Sequence, residues 1–120
     1  MKKKALVLGA SLNASRYSNI AVNRLVQSGH EVFAIGLKQG TVNGVQIDTD
    51  LMPYKDIDTV TLYLNPNNQK AYYDYILSLK PNRVIFNPGT ENPEFYNILK
   101  MHEIDFEVAC TLVLLSTNQY

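Results

Sequence analysis

At 120 residues and 13.6 kDa the chain has room for one domain, since domains most often run about 100 to 150 residues. It is 46% hydrophobic with 11 basic and 11 acidic residues, which supplies a core and carries no signature of disorder. A formal charge of zero lacks the electrostatic term behind most non-specific nucleic-acid affinity; it argues against a general nucleic-acid binder and leaves open a local anion site.

The single cysteine, Cys110, allows no intramolecular disulfide and no thiolate zinc site, so a reducing cytoplasm is the expected location. Lys2, Lys3 and Lys4 ahead of Ala5 to Leu8 imitate a secretory signal only briefly. The apolar run stops at Gly9, short of the roughly 7 to 15 residues a signal needs, and no stretch approaches the roughly 20 of a membrane span. The lysines read as a solvated lead into the first strand, and no membrane partner is expected. Without a repeat, a low-complexity segment or a linker, residues 1–120 form a single domain.

In chain order, Ala5 to Leu8 is an apolar run of strand length. Ser18 to Ser28 places Ala21, Val22, Leu25 and Val26 at helical spacing, with Ser18 as cap and Gly29 as stop. Val32 to Ile35 is the second strand. Between Gly36 and Asp58 the helical pattern fails: Asn43-Gly44 beside Val42 and Val45 signals a hairpin, with a short helical turn expected near Asp50 to Tyr54. Val60 to Leu64 is the third strand. Asn65-Pro66 then opens a helix whose stripe of Tyr72, Tyr73, Ile76, Leu77 and Leu79 ends at Pro81, with Tyr75 on its outer edge. Val84 to Phe86 is the fourth strand, and Asn92-Pro93 opens a helix through Phe95, Ile98 and Leu99. A fifth strand begins near Phe106, and the run Val108 to Leu115 fits neither pattern cleanly. This alternation predicts a single-domain α/β fold, a doubly wound, Rossmann-type parallel sheet of five strands in the order 3-2-1-4-5.

Ligands of such sheets bind beyond the carboxyl ends of the strands, where the strand order reverses. After strand one, Gly9 permits a tight turn, and small Ala10 and Ser11 let backbone amides approach a phosphate at the helix start. Asn13, Ser15, Arg16, Ser18 and Asn19 follow as further anion ligands. This is a degenerate glycine fingerprint: only the first glycine of G-x-G-x-x-G is present. After strand two, where NAD enzymes carry an acidic residue for the ribose, the chain reads Gly36-Leu37-Lys38-Gln39-Gly40. A lysine there favours a ligand with an extra phosphate near its ribose, the 3′-phosphate of coenzyme A or the 2′-phosphate of NADP. After strands three and four, Asn65-Pro66-Asn67-Asn68-Gln69 and Asn87-Pro88-Gly89-Thr90-Glu91 open helices toward the same crevice. Capping accounts for Asn65 and Asn92; it leaves Asn67, Asn68, Gln69, Asn87 and Thr90 as candidates for amide or pyrophosphate contacts.

Four segments carry a resemblance: Val7 to Ser11 with Arg16-Tyr17-Ser18-Asn19, Thr59 to Tyr63, Asn87 to Glu94, and Ala109 to Val113. Over almost its whole length the chain resembles the small bacterial single-domain CoA-binding proteins, which are similar to the Rossmann-type CoA-binding domain of the succinyl-CoA synthetase alpha subunit standing alone. The resemblance implies that the first loop and helix start hold phosphates, that Lys38 meets the phosphate end of the CoA nucleotide, and that Asn65, Pro66 and Asn87 to Glu91 hold the remainder. The synthetase places its phosphorylated histidine in a second domain that this chain lacks, so ligase chemistry does not carry over.

His30 and His102 stand at helix ends, where a polar or cationic side chain suits the dipole. No carboxylate pair suits acid–base work, since Glu91 is the one strong acidic candidate at the crevice. Asp48, Asp50, Asp56 and Asp58 lack the spacing of a calcium loop, and Cys110 reads as a buried thiol on the last strand. No catalytic residue and no metal site is therefore expected. The expected function is binding of CoA or an acyl-CoA. The alternatives are an NADP-dependent reductase fragment or CoA-transfer component completed by a partner chain, and a regulatory interaction domain.

Overall fold

The apolar run at the N-terminus forms the centre of the sheet in the computed structural model, which describes residues 2–120. Strands β1 (Lys4–Ala10), β2 (Glu31–Gly36), β3 (Gly40–Val42), β4 (Val45–Asp48), β5 (Thr59–Leu62), β6 (Arg83–Phe86) and β7 (Asp105–Val108) make one sheet ordered β3-β4-β2-β1-β5-β6-β7. Every pairing is parallel except the β3–β4 hairpin. The helices are α1 (Tyr17–Gln27), α2 (Pro66–Gln69), α3 (Tyr73–Leu79), α4 (Pro93–Met101) and α5 (Thr111–Ser116), with a 3-10 turn at Lys70–Tyr72.

Because side chains alternate along a strand, β1 feeds two cores. Leu6 and Leu8 pack with Leu62, Phe86, Ile76, Phe95 and Leu99 under α3 and α4. Ala5 and Val7 pack with Ala34, Ile47, Val22 and Leu25 under α1, against which α5 lies. Helices thus cover both faces, the doubly wound α/β arrangement predicted.

The strand count and order are corrected. The five predicted strands run 2-1-3-4-5 in their own numbering, and the described residues form seven strands. The reason lies in the Asn43-Gly44 hairpin. Both its central residues take positive φ, +47° and +80°, and its return arm β4 pairs parallel with β2 through Ala34↔Ile47 and Ile35↔Asp48. That arm occupies the outer position, so the third predicted strand, β5, pairs on the free side of β1.

Other expectations change locally. Residues 49–58 hold no helical turn. They form a strap in which Tyr54 donates its hydroxyl to the Asp48 carboxylate and Tyr75 donates to the Met52 carbonyl at 2.5 Å, so Tyr75 is buried and does not sit on an outer edge. The cap of α1 is Arg16, and Ser18 is buried in the first turn; Gly29, at φ +86°, stops the helix as expected. Asn65 and Asn92 do cap their helices, accepting from the Asn68 and Phe95 amides. The run Val108 to Leu115 divides between β7 and α5, leaving Cys110 partly exposed at the α5 cap and off the last strand.

His30 lies past the end of α1, its Nδ1 accepting the Lys3 amide at 3.0 Å and its ring 4.9 Å from that of Tyr120. Burial, with Lys3 and Arg83 nearby and only Asp58 opposing, holds its pKa below the ordinary 6.5. The unfolded chain therefore binds the proton first, so His30 stabilises the fold above pH 6.5, and that contribution is lost as pH falls from 6.5 through the lower folded value. His30→Asn keeps an acceptor that cannot titrate. Urea midpoints measured between about pH 7.5 and 5.5 should fall less steeply for this variant than for the parent protein.

Candidate functional site

β1 and β2 keep register from Lys4↔Glu31 to Leu8↔Ile35 and then slip, bringing Ala10 opposite Gly36. Gly9 takes up the slip at φ +96°, so close to β5 that an added Cβ would lie 2.8 Å from the Tyr63 carbonyl oxygen. A Cβ on Gly36 would meet the Ala10 carbonyl at 2.3 Å. Past this crossing point a cleft of about 560 Å³ opens over the carboxyl ends of β1, β2, β5 and β6, within the range of small-molecule sites.

Its first wall is the β1–α1 loop. The Ser11 hydroxyl accepts the Asn13 amide, and the Asn13 side-chain oxygen accepts both the amide and the hydroxyl of Ser15, at 3.0 and 2.7 Å. Arg16 caps α1 without a side-chain bond and no acidic residue stands in the first turn, which leaves the Tyr17 and Ser18 amides without an acceptor among the described residues. Gly36, Leu37 and Lys38 form the second wall, held to the first where Leu12 lies on Gly40, whose Cβ would come within 2.5 Å of it. Leu64, Asn65 and Tyr72 make the third wall and Pro88, Gly89 and Thr90 the fourth.

Of the expected residues, Gly9, Ala10, Ser11, Asn13, Arg16 and Ser18 line the cleft from one side. Gly36, Lys38, Asn65, Gly89 and Thr90 line it from the others. The others lie outside it, among them Ser15, which is bound to Asn13. Asn19 is buried and donates to the Ser11 carbonyl at 2.9 Å, tying the loop to α1. Pro66 is the first residue of α2, and Glu91 turns back to accept the Gly89 amide at 2.8 Å. Asn87 is buried, with its amide committed inside: Nδ2 donates to Thr61 Oγ1 at 2.7 Å and to the Leu62 carbonyl, while Oδ1 accepts the Thr111 amide at 2.8 Å. Gln69 is likewise internal, and Asn67 and Asn68 are exposed away from the cleft.

Three apolar side chains at the cleft were not foreseen: Leu12, Tyr17 and Leu37, which are 44%, 72% and 92% exposed. For Leu12 and Leu37 the signal was present, since each interrupts a polar, glycine-bearing loop with an apolar residue that no strand or helix period can bury, whereas Tyr17 opens α1. Tyr63 also lines the cleft; its hydroxyl is buried without a hydrogen bond, and burial pushes the phenol up to about 12, so it stays protonated at neutral pH. Among the described residues no three His, Cys, Asp or Glu side chains gather as a metal site requires. No helix there is long and apolar enough to cross a membrane.

Asn87→Ala strips partners from the buried groups of Thr61 and Thr111 and should cost about 2 to 4 kcal/mol in urea unfolding. Tyr63→Phe removes a hydroxyl that bonds nothing and should change stability by less than about 0.5 kcal/mol.

Comparison with known proteins agrees with this geometry. Residues 3–116 match the family described as CoA binding domain. None of the curated proteins matches the chain. Among solved structures, an uncharacterized protein shares 48% identity at a TM-score of 0.97, covering 100% of this chain and 99% of that one. A hypothetical protein from Pyrococcus horikoshii OT3 shares 25% identity at a TM-score of 0.82, over 92% of this chain and 80% of that one. The dinucleotide forming acetyl-coenzyme A synthetase 1 of Ca. Korarchaeum cryptofilum, in complex with phosphate and ADP, shares the fold at 14% identity and a TM-score of 0.71, over 89% of this chain and 25% of its own. A doubly wound sheet that opens a cleft at its crossing point, together with a match running nearly end to end, makes this chain a member of the CoA-binding-domain family.

Proposed function

We propose that the chain binds coenzyme A or an acyl-CoA through its nucleotide and pyrophosphate and performs no chemistry of its own. One observation carries the reading: Arg16, Lys38 and the open amides at the start of α1 converge on one cleft that no carboxylate lines. A ligand with several phosphates matches that set, because a helix start and guanidinium or ammonium groups bind phosphate oxygens through charge-assisted hydrogen bonds. Gly9, Ala10 and Gly36 allow close backbone approach, and Ser11, Asn13, Arg16 and Ser18 hold the pyrophosphate. Lys38 meets the 3′-phosphate. The third and fourth walls carry no charged side chain, which suits the neutral amides of the pantetheine arm. There Asn65, with Pro66 setting the helix start, and Gly89 and Thr90 line its path, while Glu91 holds Gly89 from outside the cleft by accepting its amide. Asn19 and Asn87 support the walls from behind.

Lys38→Ala should weaken CoA about tenfold and leave dephospho-CoA within about twofold by calorimetry, the loss expected of one charged hydrogen bond. Arg16→Ala should weaken both ligands. In a thermal-shift series CoA at about 100 times its Kd should add roughly 2.7 kcal/mol to the fold. Stabilisation by NADP without stabilisation by CoA overturns the proposal, because a lysine after β2 serves a 2′-phosphate equally well.

A further inference from the structure

We propose that Gln69 is a positioning residue that locks the third and fourth walls of the cleft at one spacing, so that the neutral arm of the ligand meets a single preformed surface. This rests on the CoA reading above. β5 and β6 pair in register up to Leu62↔Phe86, and beyond that point no backbone hydrogen bond joins the two loops among the described residues. Gln69 supplies the join. It is fully buried at the end of α2 and does not line the cleft. Its Nε2 donates to the Leu64 carbonyl at 2.8 Å on one loop and to the Thr90 carbonyl at 2.7 Å on the other. Its Oε1 accepts from Asn92 Nδ2 at 2.9 Å, and that same nitrogen donates to the Tyr73 hydroxyl at 2.7 Å, with the Tyr73 ring stacked 4.3 Å from Phe95.

Only a primary amide meets these demands, with two donors on one atom and an acceptor on its neighbour. A carboxylate of the same shape would turn both donors into acceptors facing carbonyl oxygens, and a thioether would leave the Leu64 and Thr90 carbonyls without this donor and the Asn92 amide with one of its two bonds. Leu64 and Thr90, whose carbonyls Gln69 holds, line the cleft themselves. A shift of either loop therefore moves the surface that the ligand touches, and binding weakens steeply as a preorganised site loosens.

Gln69→Met tests this with two ligands and one exchange measurement. CoA should bind about tenfold more weakly, while 3′,5′-ADP, which lacks the arm, should stay within about twofold. In the free protein, amide exchange should speed up over residues 65–72 and 89–91 and stay unchanged over residues 11–18. Should Gln69→Met fail to fold, Asn92→Ser keeps a cap oxygen for the Phe95 amide while removing the donor to Gln69, and it should show a smaller loss of the same pattern. Parallel loss of both ligands, unchanged CoA affinity or a uniform rise in exchange overturns the role of Gln69. A parent protein that fails to bind CoA overturns the proposed function instead, and the exchange pattern still decides whether Gln69 joins the two loops.

Discussion

The whole site depends on the close crossing of β1, β2 and β5 at two glycines. Parallel strands feeding helices on opposite faces must diverge somewhere, and here α1 leaves for one face while α2 and α3 leave for the other. The divergence is sharp because the backbones on either side are in contact: Gly9 against the Tyr63 carbonyl, Gly36 against that of Ala10. A side chain at either position would push the strands apart and fill the floor of the cleft. The left-handed φ of Gly9 and the register slip beside it are two views of one constraint.

Above that floor the loops are shaped by buried amides more than by packing. Asn19 binds the first loop to α1, Asn87 binds β6 to β5 and α5, and Gln69 with Asn92 binds the two loops that follow β5 and β6. Such groups suit the task because a loop leaves backbone carbonyls and amides that the sheet no longer pairs, and a carboxamide satisfies both kinds without bringing a charge into the interior. The apolar clusters hold the sheet and helices together; the amides determine where the loops stand.

This division explains what the sequence disclosed. Strands, two of the helix caps and the hairpin were legible because each depends on a few adjacent residues: Asn65-Pro66, Asn92-Pro93 and Asn43-Gly44 are local devices, whereas Ser18 reads as the cap that Arg16 provides. Strand order was not, since nothing local says which edge of β2 or β1 a later strand will join, and the hairpin arm β4 took the place assigned to the third strand. Glycines and cations of the cleft were legible because the fold puts every strand end there. The uncharged polar residues were not sorted correctly. Asn87 and Gln69 point inward and Asn67 and Asn68 outward, although all four are polar residues at a strand end or helix start, and only tertiary contacts distinguish a bond to the chain from a bond to a ligand.

Charge follows the same logic. Among the described residues one ion pair forms, Arg83 with Glu107 at 3.1 Å, so most of the charges of this neutral chain stand in water and largely cancel at distances beyond about 10 Å. Being unpaired therefore does not distinguish Arg16 and Lys38 from the other lysines and arginines. Their position does. Both stand on a concave surface beside the positive end of α1, where low-dielectric walls concentrate the field and no carboxylate opposes it. A chain with no net charge can in this way hold a strongly anionic ligand, provided its cations share one cleft and its acids lie elsewhere.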